Sequence, residues 1–214
     1  MTIERALMSA PKYATGPTIG EAYGGGYYAG KISVAGNGIA SHYLIVAPKS
    51  SGENSSKQWK TSNTSTAGTS SVIDGPANSA AMNNASHPAA QFCEGLTSGG
   101  FSDWYMPAKN ELEVLYYFLN PTTSANVTFS GSNANAVSPE PISTNYSSGS
   151  PAQTSAAAFQ SGGAQALETS VYWSSTELSA TAAWWQYFGG GEQGGLGDEK
   201  IFTAYVRAVR RVAI

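Results

Sequence analysis

The apolar residues of this chain fall into short runs, and only one run keeps the spacing of a helix. Residues 108–119 place apolar side chains at i, i+3, i+4 and i+7, which predicts a helix with one apolar face. Pro107 fits the first position of such a helix, and Asn120-Pro121 ends it. The predicted apolar face consists of Leu112, Leu115, Tyr116 and Leu119.

The other apolar runs are interpreted mainly as strands. Residues 42–47 form a continuous apolar run, which is typical of a strand buried on both faces. Residues 27–32 predict a strand before it, with a hairpin turn signal at Gly36-Asn37-Gly38. A second helical region is predicted over residues 77–96, interrupted at His87-Pro88, with Asn78 and Ser86 as candidate N-caps. Three further strands are predicted at 171–176, 183–188 and 204–212.

The polar, glycine-rich tracts suggest where the domain begins and where it is interrupted. Residues 1–26 are irregular and are interpreted as an extended arm or linker before a single domain over residues 27–214. Residues 50–75 are interpreted as a long loop anchored by Trp59. Residues 121–170 are rich in Ser, Ala, Gly and Asn without a sustained period, so we expect a long insertion there.

Charge and hydropathy exclude several classes of partner. The net charge of −3 and the pI near 5.3 provide no basic stripe for a phosphate backbone, so we expect no nucleic-acid partner. No apolar run approaches the ~20 residues of a membrane helix, so we expect no membrane insertion. The first residues lack a basic region followed by an apolar core, so we expect synthesis in the cytoplasm without a signal peptide.

The residues that usually carry out catalysis are scarce. Cys93 is the only cysteine and is expected to be a buried, inert thiol, so neither an intrachain disulfide nor a cysteine-based zinc site is predicted. The two histidines, His42 and His87, belong to no recognisable motif, and the acidic pair Glu111 and Glu113 is too common a pattern to indicate glycoside hydrolysis. We therefore predict no catalytic residues, no metal site and no cofactor.

Five short motifs occur in a fixed order along the chain. They are Asp-Trp-Tyr-Met-Pro at 103–107, Asn-Glu-Leu at 110–112, Tyr-Trp-Ser-Ser-Thr-Glu at 172–177, Trp-Trp-Gln-Tyr-Phe at 184–188 and Tyr-Val-Arg-Ala-Val-Arg at 205–210. In this order they resemble the DUF1566 family, which is akin to the C-terminal domain of the Legionella collagen-like adhesin and is common in phage tail fibres. Members of that family resemble proteins with the C-type-lectin fold.

The resemblance covers residues 27–212, apart from the predicted insertion. It implies a C-type-lectin-like α+β domain with a twisted, mixed or antiparallel sheet, two flanking helices, long loops and a role in binding surfaces. The calcium-binding Glu-Pro-Asn triplet of lectins is missing, because Glu140-Pro141 is followed by Ile142. Calcium-dependent sugar binding in the usual lectin manner is therefore not expected.

The charged residues of the motifs have structural interpretations. Asp103 is expected to close a turn, and Trp104 to pack in the core. Arg207 and Arg210 are three residues apart on one predicted strand, so they should point to opposite faces. One of them is expected to pair inward with Glu111 or Asp103, while the other meets solvent.

The motif at 184–188 and the loop after it form the candidate binding surface. Strand alternation places Trp184, Gln186 and Phe188 on one face and Trp185 and Tyr187 on the other. One set can fill the core and leave the other exposed, although packing of both sets between two layers is equally compatible with the sequence. The loop over residues 189–200 is rich in glycine and in charge. The candidate ligand-binding residues are Trp185, Tyr187, Glu192, Gln193, Asp198 and Glu199.

Three classes of function compete. The favoured class is a non-enzymatic binding or adhesion domain of a phage virion, such as a tail fibre or receptor-binding component, that recognises a host-surface glycan or protein. The alternative is a structural virion decoration or fibre subunit whose surface binds neighbouring virion subunits. In either case a homo-oligomer, such as a trimer, is expected by analogy. An enzyme is the third class, since sulfatase-modifying proteins share the C-type-lectin fold, but it requires redox cysteines or a metal cluster that the sequence does not supply.

Overall fold

The computed structural model describes residues 16–194 and 199–214, and this part of the chain is an α+β fold. The predicted α+β class is confirmed. The structure adds a second sheet and two more helices to the predicted single sheet with two flanking helices. The short helices gave no strong periodic signal in the sequence, because they are only 4 to 7 residues long. The C-type-lectin likeness stays a prediction.

The first sheet is antiparallel and contains the buried apolar run. Its strand order is β1 (Ala22–Tyr23), β2 (Gly26–Ile32), β3 (His42–Val46) and β9 (Val209–Ala213). Strand β3 pairs with β2 from His42 opposite Ile32 to Val46 opposite Tyr27. Gly36 and Gly38 in the predicted hairpin turn have φ angles of 65° and 75°, which glycine adopts without strain.

The second sheet is mixed, because its strands Val171–Glu177 and Thr203–Arg207 are parallel and the other pairs are antiparallel. The first of its strands lies within residues 50–75, where only a loop was predicted. The predicted strand at 204–212 is two strands separated at Ala208, whose backbone bonds to Ala47 and Gly52 as the chain crosses from one sheet to the other. The strand order is β4 (Glu53–Gln58), β8 (Thr203–Arg207), β5 (Val171–Glu177), β6 (Ala183–Tyr187) and β7 (Gln193–Gly194).

Four α-helices connect the strands of the described residues. The predicted break at His87-Pro88 separates two of them, and the N-caps are Asp74 and His87 rather than Asn78 and Ser86. Asp74 caps its helix by accepting from the backbone N–H of Ala77 at 3.4 Å. None of the described helices has the length and apolar character needed to cross a membrane. The helices are α1 (Lys49–Gly52), α2 (Gly75–Ala81), α3 (Pro88–Glu94) and α4 (Lys109–Leu119).

Helix α4 lies between the two sheets and is buried around most of its circumference. Its predicted apolar face is confirmed, since Leu112, Leu115 and Leu119 belong to one core cluster. The helix packs against β2, β5 and β6, whereas Trp104 and Trp173 themselves belong to a second cluster. The side chain of Trp173 lies on the side of β5 that faces away from α4, and Trp104 is outside the named strands. The first cluster also contains Leu44, Val46, Tyr116, Tyr172 and Phe188.

Three arginines near the C-terminus tie the elements together. Arg210 pairs with Asp103 through two bonds of 2.7 and 2.8 Å, which confirms one predicted pairing. Arg207 is fully buried and pairs with Glu53 at 2.8 Å, so the expectation that one arginine meets solvent was wrong. Arg207 ends β8 and Arg210 lies on β9, in the other sheet. The strand alternation that was expected to point the two side chains to opposite faces therefore does not apply to them. The third, Arg211, pairs with Glu111 at 2.7 Å and so joins β9 to α4.

The tract at 121–170 has no β-strand or α-helix but contributes to the core. Its only helical turn is Ala157–Phe159, and Tyr146, Phe159 and Leu167 all belong to the first cluster. At the other end of the chain, Ala22 pairs with Tyr27, so part of the predicted arm is strand β1. Residues 1–15 lie outside the described residues.

Candidate functional site

Strands β5 and β6 form a hairpin with two different faces. Tyr172 is paired with Gln186, and Trp173 with Trp185. Because directly paired residues share a face, the alternation of β6 extends to β5. We call the face towards α4 the inner face; it consists of Tyr172, Trp184, Gln186 and Phe188. The outer face consists of Val171, Trp173, Trp185 and Tyr187.

The inner face is closed by α4. Phe188 is fully buried, and its ring lies 4.9 Å from the ring of Tyr172 and 5.5 Å from that of Tyr116, measured between centroids. The ammonium group of Lys109 lies 4.4 Å above the ring of Trp184. Gln186 is also fully buried, and its amide has no hydrogen-bond partner in the part of the chain that the structure describes. Around Tyr172, Gln186 and Phe188 this face is therefore closed to a ligand, while Trp184 is half-buried.

The outer face leaves one aromatic ring half-buried and a second one exposed. Trp185 packs against the second core cluster, and its indole lies across Gly194, where a side chain would collide with the ring. Tyr187 is 36% exposed, and its ring lies over Gly189 at the start of the turn to β7. The two interpretations left open by the sequence thus apply to different residues: Trp185 is partly core, and Tyr187 belongs to the surface.

A groove adjoins the outer face where β5 and β8 separate. The two strands pair at one position, Tyr172 with Tyr205, and the groove lies just before it with a volume of 270 Å³. Val171 lines the groove and is paired with Tyr187 across the hairpin, so groove and outer face are continuous. Three aromatic and three hydroxyl-bearing residues line it: Trp173, Phe202, Tyr205, Ser55, Ser170 and Thr203.

Sequence reasoning missed the groove because its residues come from three separated segments. Ser55 belongs to a strand that was not predicted, and Ser170 precedes β5 by one residue. The one signal in the sequence that could have indicated the groove was the aromatic residue Phe202 directly before a strand. In the structure, Phe202 is 51% exposed.

The structure places the predicted loop residues at different positions relative to the two aromatic residues. Gln193 is paired with Gln186 and donates to the carbonyl of Lys109 at 3.3 Å, which places it on the inner side. The backbone carbonyl of Glu192 accepts from the N–H of Tyr187 at 2.8 Å, and Glu192 itself is half-buried. Glu199 is exposed and accepts from Asn63 at 2.6 Å. Asp198 lies outside the described residues.

The last charge of that loop, Lys200, is buried rather than displayed. It forms an ion pair with Glu177 and lies 4.6 Å from the ring centroid of Trp59. Beside it, burial lowers the pKa of His87 to about 4, with the charges of Lys60 and Lys200 acting in the same direction. We call Lys60, His87, Glu177 and Lys200 the basic cluster.

Two hydrogen bonds orient the ring of His87. Its Nδ1–H donates to the Asn84 Oδ1 at 2.9 Å, so its Nε2 accepts from the Thr66 hydroxyl at 2.9 Å. The Lys60 ammonium donates to the same hydroxyl oxygen at 2.9 Å. A proton on Nε2 would therefore compete with Lys60 for one acceptor, and this arrangement fixes the loop around Trp59.

An acidic cluster lies on the opposite side of the hairpin. Tyr146 donates to the Glu113 carboxylate at 2.5 Å, and the Asn133 amide donates to Glu113 at 2.6 Å and to Glu140 at 3.2 Å. Burial, followed by the charge of Glu113, raises the pKa of Glu140 well above its usual range. Burial also raises the pKa of Glu113. We call Glu113, Asn133, Glu140 and Tyr146 the acidic cluster; it joins α4 to the 121–170 tract.

Neither cluster nor the cysteine has the geometry of a reactive site. Glu113 and Glu140 are 0% and 2% exposed, so substrate has no access to them. Cys93 is buried, and burial raises the pKa of its thiol well above the usual value, which disfavours the nucleophilic thiolate. Within residues 16–194 and 199–214, no three His, Cys, Asp or Glu side chains are grouped closely enough to hold a metal ion.

Comparison with models of protein families identifies a family that this chain matches. The family model described as the Lcl C-terminal domain matches residues 53–210, which is more than half of the chain. The match begins at β4 and includes the outer face, the groove and the whole 121–170 tract. No curated protein matches the chain.

Proposed function

This chain belongs to the Lcl C-terminal domain family, and we propose that it is a non-enzymatic adhesion domain that binds its target through the outer face. The observation that carries this proposal is the position of Tyr187 and Trp185, side by side on a rigid hairpin and next to a groove. Exposed aromatic residues on a fixed scaffold supply large contact area at low entropic cost.

We further propose that the domain is a phage virion component, and that the target is a glycan or protein of the host surface. The resemblance of its five motifs to a family common in phage tail fibres supports this assignment. Repetition in a homo-oligomer would multiply weak contacts at such a surface through avidity. The burial of Glu113 and Glu140 supports binding rather than catalysis, because their hydrogen bonds to Asn133 are internal to the fold and both groups are closed to substrate.

A structural virion subunit is the second candidate, and a specific surface favours it. Ile39 is 70% exposed in the β2–β3 turn, and Ile142 is 41% exposed beside Gly38 of the same turn. Apolar side chains grouped on a surface are common where subunits meet. Neither isoleucine belongs to the outer face or lines the groove, so the two candidates can be separated by substitution.

The test is attachment of the purified chain to bacterial cells, compared between variants. We expect Tyr187→Ala to weaken attachment about 30-fold, which corresponds to the ~2 kcal/mol of a central anchor. Trp185→Ala should weaken it as well but also destabilise the fold, because Trp185 packs on the second cluster. Ile39→Ala is the control, since it removes an accessible apolar side chain elsewhere and should leave attachment unchanged.

Two results would contradict the proposal. If Tyr187→Ala remains folded by circular dichroism and attaches normally, the outer face is not the binding surface. The second result has two parts: neither the wild-type protein nor any variant attaches to cells, and Ile39→Ala changes the sedimentation coefficient of the protein. In that case the structural-subunit function is the correct one.

A further inference from the structure

We propose that the groove between β5 and β8 is a subsite for one uncharged sugar residue of a neutral glycan, whose chain continues across the outer face to Tyr187. This inference rests on the proposed function and names the chemical class of the ligand.

The lining of the groove selects for a ligand without charge. All eight residues that line it are uncharged, and they combine aromatic rings with hydroxyl groups. Aromatic rings pack against the apolar C–H face of a sugar, while Ser and Thr hydroxyls both donate and accept hydrogen bonds with its hydroxyls. A sulfated or carboxylated sugar would lose hydration there without gaining a counter-charge.

The size of the groove limits it to a small part of a glycan. Its volume of 270 Å³ lies just below the ~300–1,000 Å³ that is usual for pockets enclosing a complete small-molecule ligand. One sugar ring fits such a space, whereas an oligosaccharide does not. The remaining residues of the glycan must therefore lie outside the groove.

The outer face provides the path for those residues. Val171 lines the groove on β5, and Tyr187 is its paired neighbour on β6. Adjacent strands lie about 4.8 Å apart, so Tyr187 is about 10 Å from β8, a distance that a disaccharide spans. A sugar on Tyr187 and a sugar in the groove are therefore within reach of one short chain.

The floor of the groove is fixed before any ligand binds. Trp173 is 1% exposed, and its indole N–H donates to the carbonyl of Lys57 at 3.2 Å. The indole reaches β4 by crossing β8, where the paired residue of Lys57 is the small Ala204. A site whose side chains are already ordered loses less entropy on binding.

Competition experiments with the intact protein test the subsite. Polysaccharides from cells that the wild-type protein binds are separated by anion exchange into a neutral and an acidic fraction, and each competes for attachment. We expect the neutral fraction to compete. Phe202→Ala should weaken its binding at least about tenfold, and Thr203→Val several-fold, because one removes the exposed ring and the other a single hydroxyl. Phe129→Ala is the matched control, as Phe129 is 65% exposed but does not line the groove.

The outcomes separate this inference from the proposed function. If Tyr187→Ala loses attachment but Phe202→Ala does not, or if only the acidic fraction competes, the subsite is wrong and the adhesion function stands. If the wild-type protein attaches to no cells, the adhesion function is wrong, and direct binding to dextran, mannan and galactan decides the subsite alone. Binding that depends on Phe202 then supports the subsite, and absence of binding to all three overturns it.

Discussion

The two faces of the β5–β6 hairpin carry similar aromatic residues but are covered differently. On the inner face, α4 and the 121–170 tract bury Tyr172 and Phe188 completely. On the outer face, α3 and Trp59 belong to the same cluster as Trp173, yet Trp185 is only half-buried and Tyr187 is 36% exposed. Residue type therefore does not decide which aromatic residue is available for binding; the elements that pack on each face do.

The two faces of the hairpin also differ in the sign of the charged groups that are buried behind them. The acidic cluster joins α4 to the tract behind the inner face, while the basic cluster surrounds Trp59, which packs on the outer side. Both clusters exclude water from charged groups, so each makes stability depend on pH. Because the groups differ in charge, the two dependences run in opposite directions.

The largest expected difference between the faces is in stability. Phe188→Ala should lower the free energy of unfolding by about 3–5 kcal/mol, because it leaves a cavity among Tyr116, Tyr172 and α4. Tyr187→Ala should lower it by less than about 1 kcal/mol, as expected for a surface site. Urea unfolding of both variants gives the two values. Equal losses would show that the outer face is as closed as the inner one.

Acid should weaken the outer side through His87. The pKa of His87 is about 4 in the folded protein, against the ordinary histidine value of 6.5 in the unfolded chain, so the unfolded chain binds the proton first as pH falls. The His87 contribution is therefore constant above pH 6.5, and stability falls by up to about 3 kcal/mol as pH decreases to 4. Unfolding measured between about pH 8 and pH 4 checks this. The same measurement on His87→Gln should lack this part of the decline, and an unchanged slope would contradict the assignment.

Alkali should weaken the inner side through Glu140. Its pKa is raised in the folded protein by burial and by the charge of Glu113, so the folded chain keeps a proton that the unfolded chain releases. The contribution to stability is full below the usual glutamate pKa and is lost as pH rises towards the folded value. Glu140→Gln cannot ionise and should flatten this decline in unfolding experiments from about pH 4 to pH 8. An unchanged or steeper decline in that variant would contradict the assignment to Glu140.

A smaller effect should come from the unpaired amide of the inner face. Gln186→Met removes buried polar atoms that have no partner among the described residues and should raise the free energy of unfolding by about 1 kcal/mol. Gln193→Met is the matched control, because Gln193 donates to the carbonyl of Lys109 and its loss should be destabilising. Thermal unfolding distinguishes the two. A loss of stability in Gln186→Met would mean that the amide is satisfied by bound water.

Local patterns in the sequence predicted those elements whose own residues carry the signal. The helix at 108–119 and the strand at 42–47 were found within one residue of their observed starts, because burial of one or both faces imposes a regular order on apolar residues. β4 was missed because Glu53–Gln58 contains no apolar residue and is held by pairing with β8. The strand at 204–212 was not divided, because nothing in its composition marks Ala208 as a crossing between sheets.

The sequence by itself determined the mixed α+β class, the family and the alternation that separates Trp185 and Tyr187 from Gln186 and Phe188. These depend on short-range periodicity and on ordered motifs, which a single chain displays directly. Only the tertiary structure decided that Tyr187 is exposed, that Lys200 is buried and that a groove of uncharged residues lies beside the hairpin. Exposure and grooves depend on which distant segments pack together, and no local pattern records the partners that cover a face.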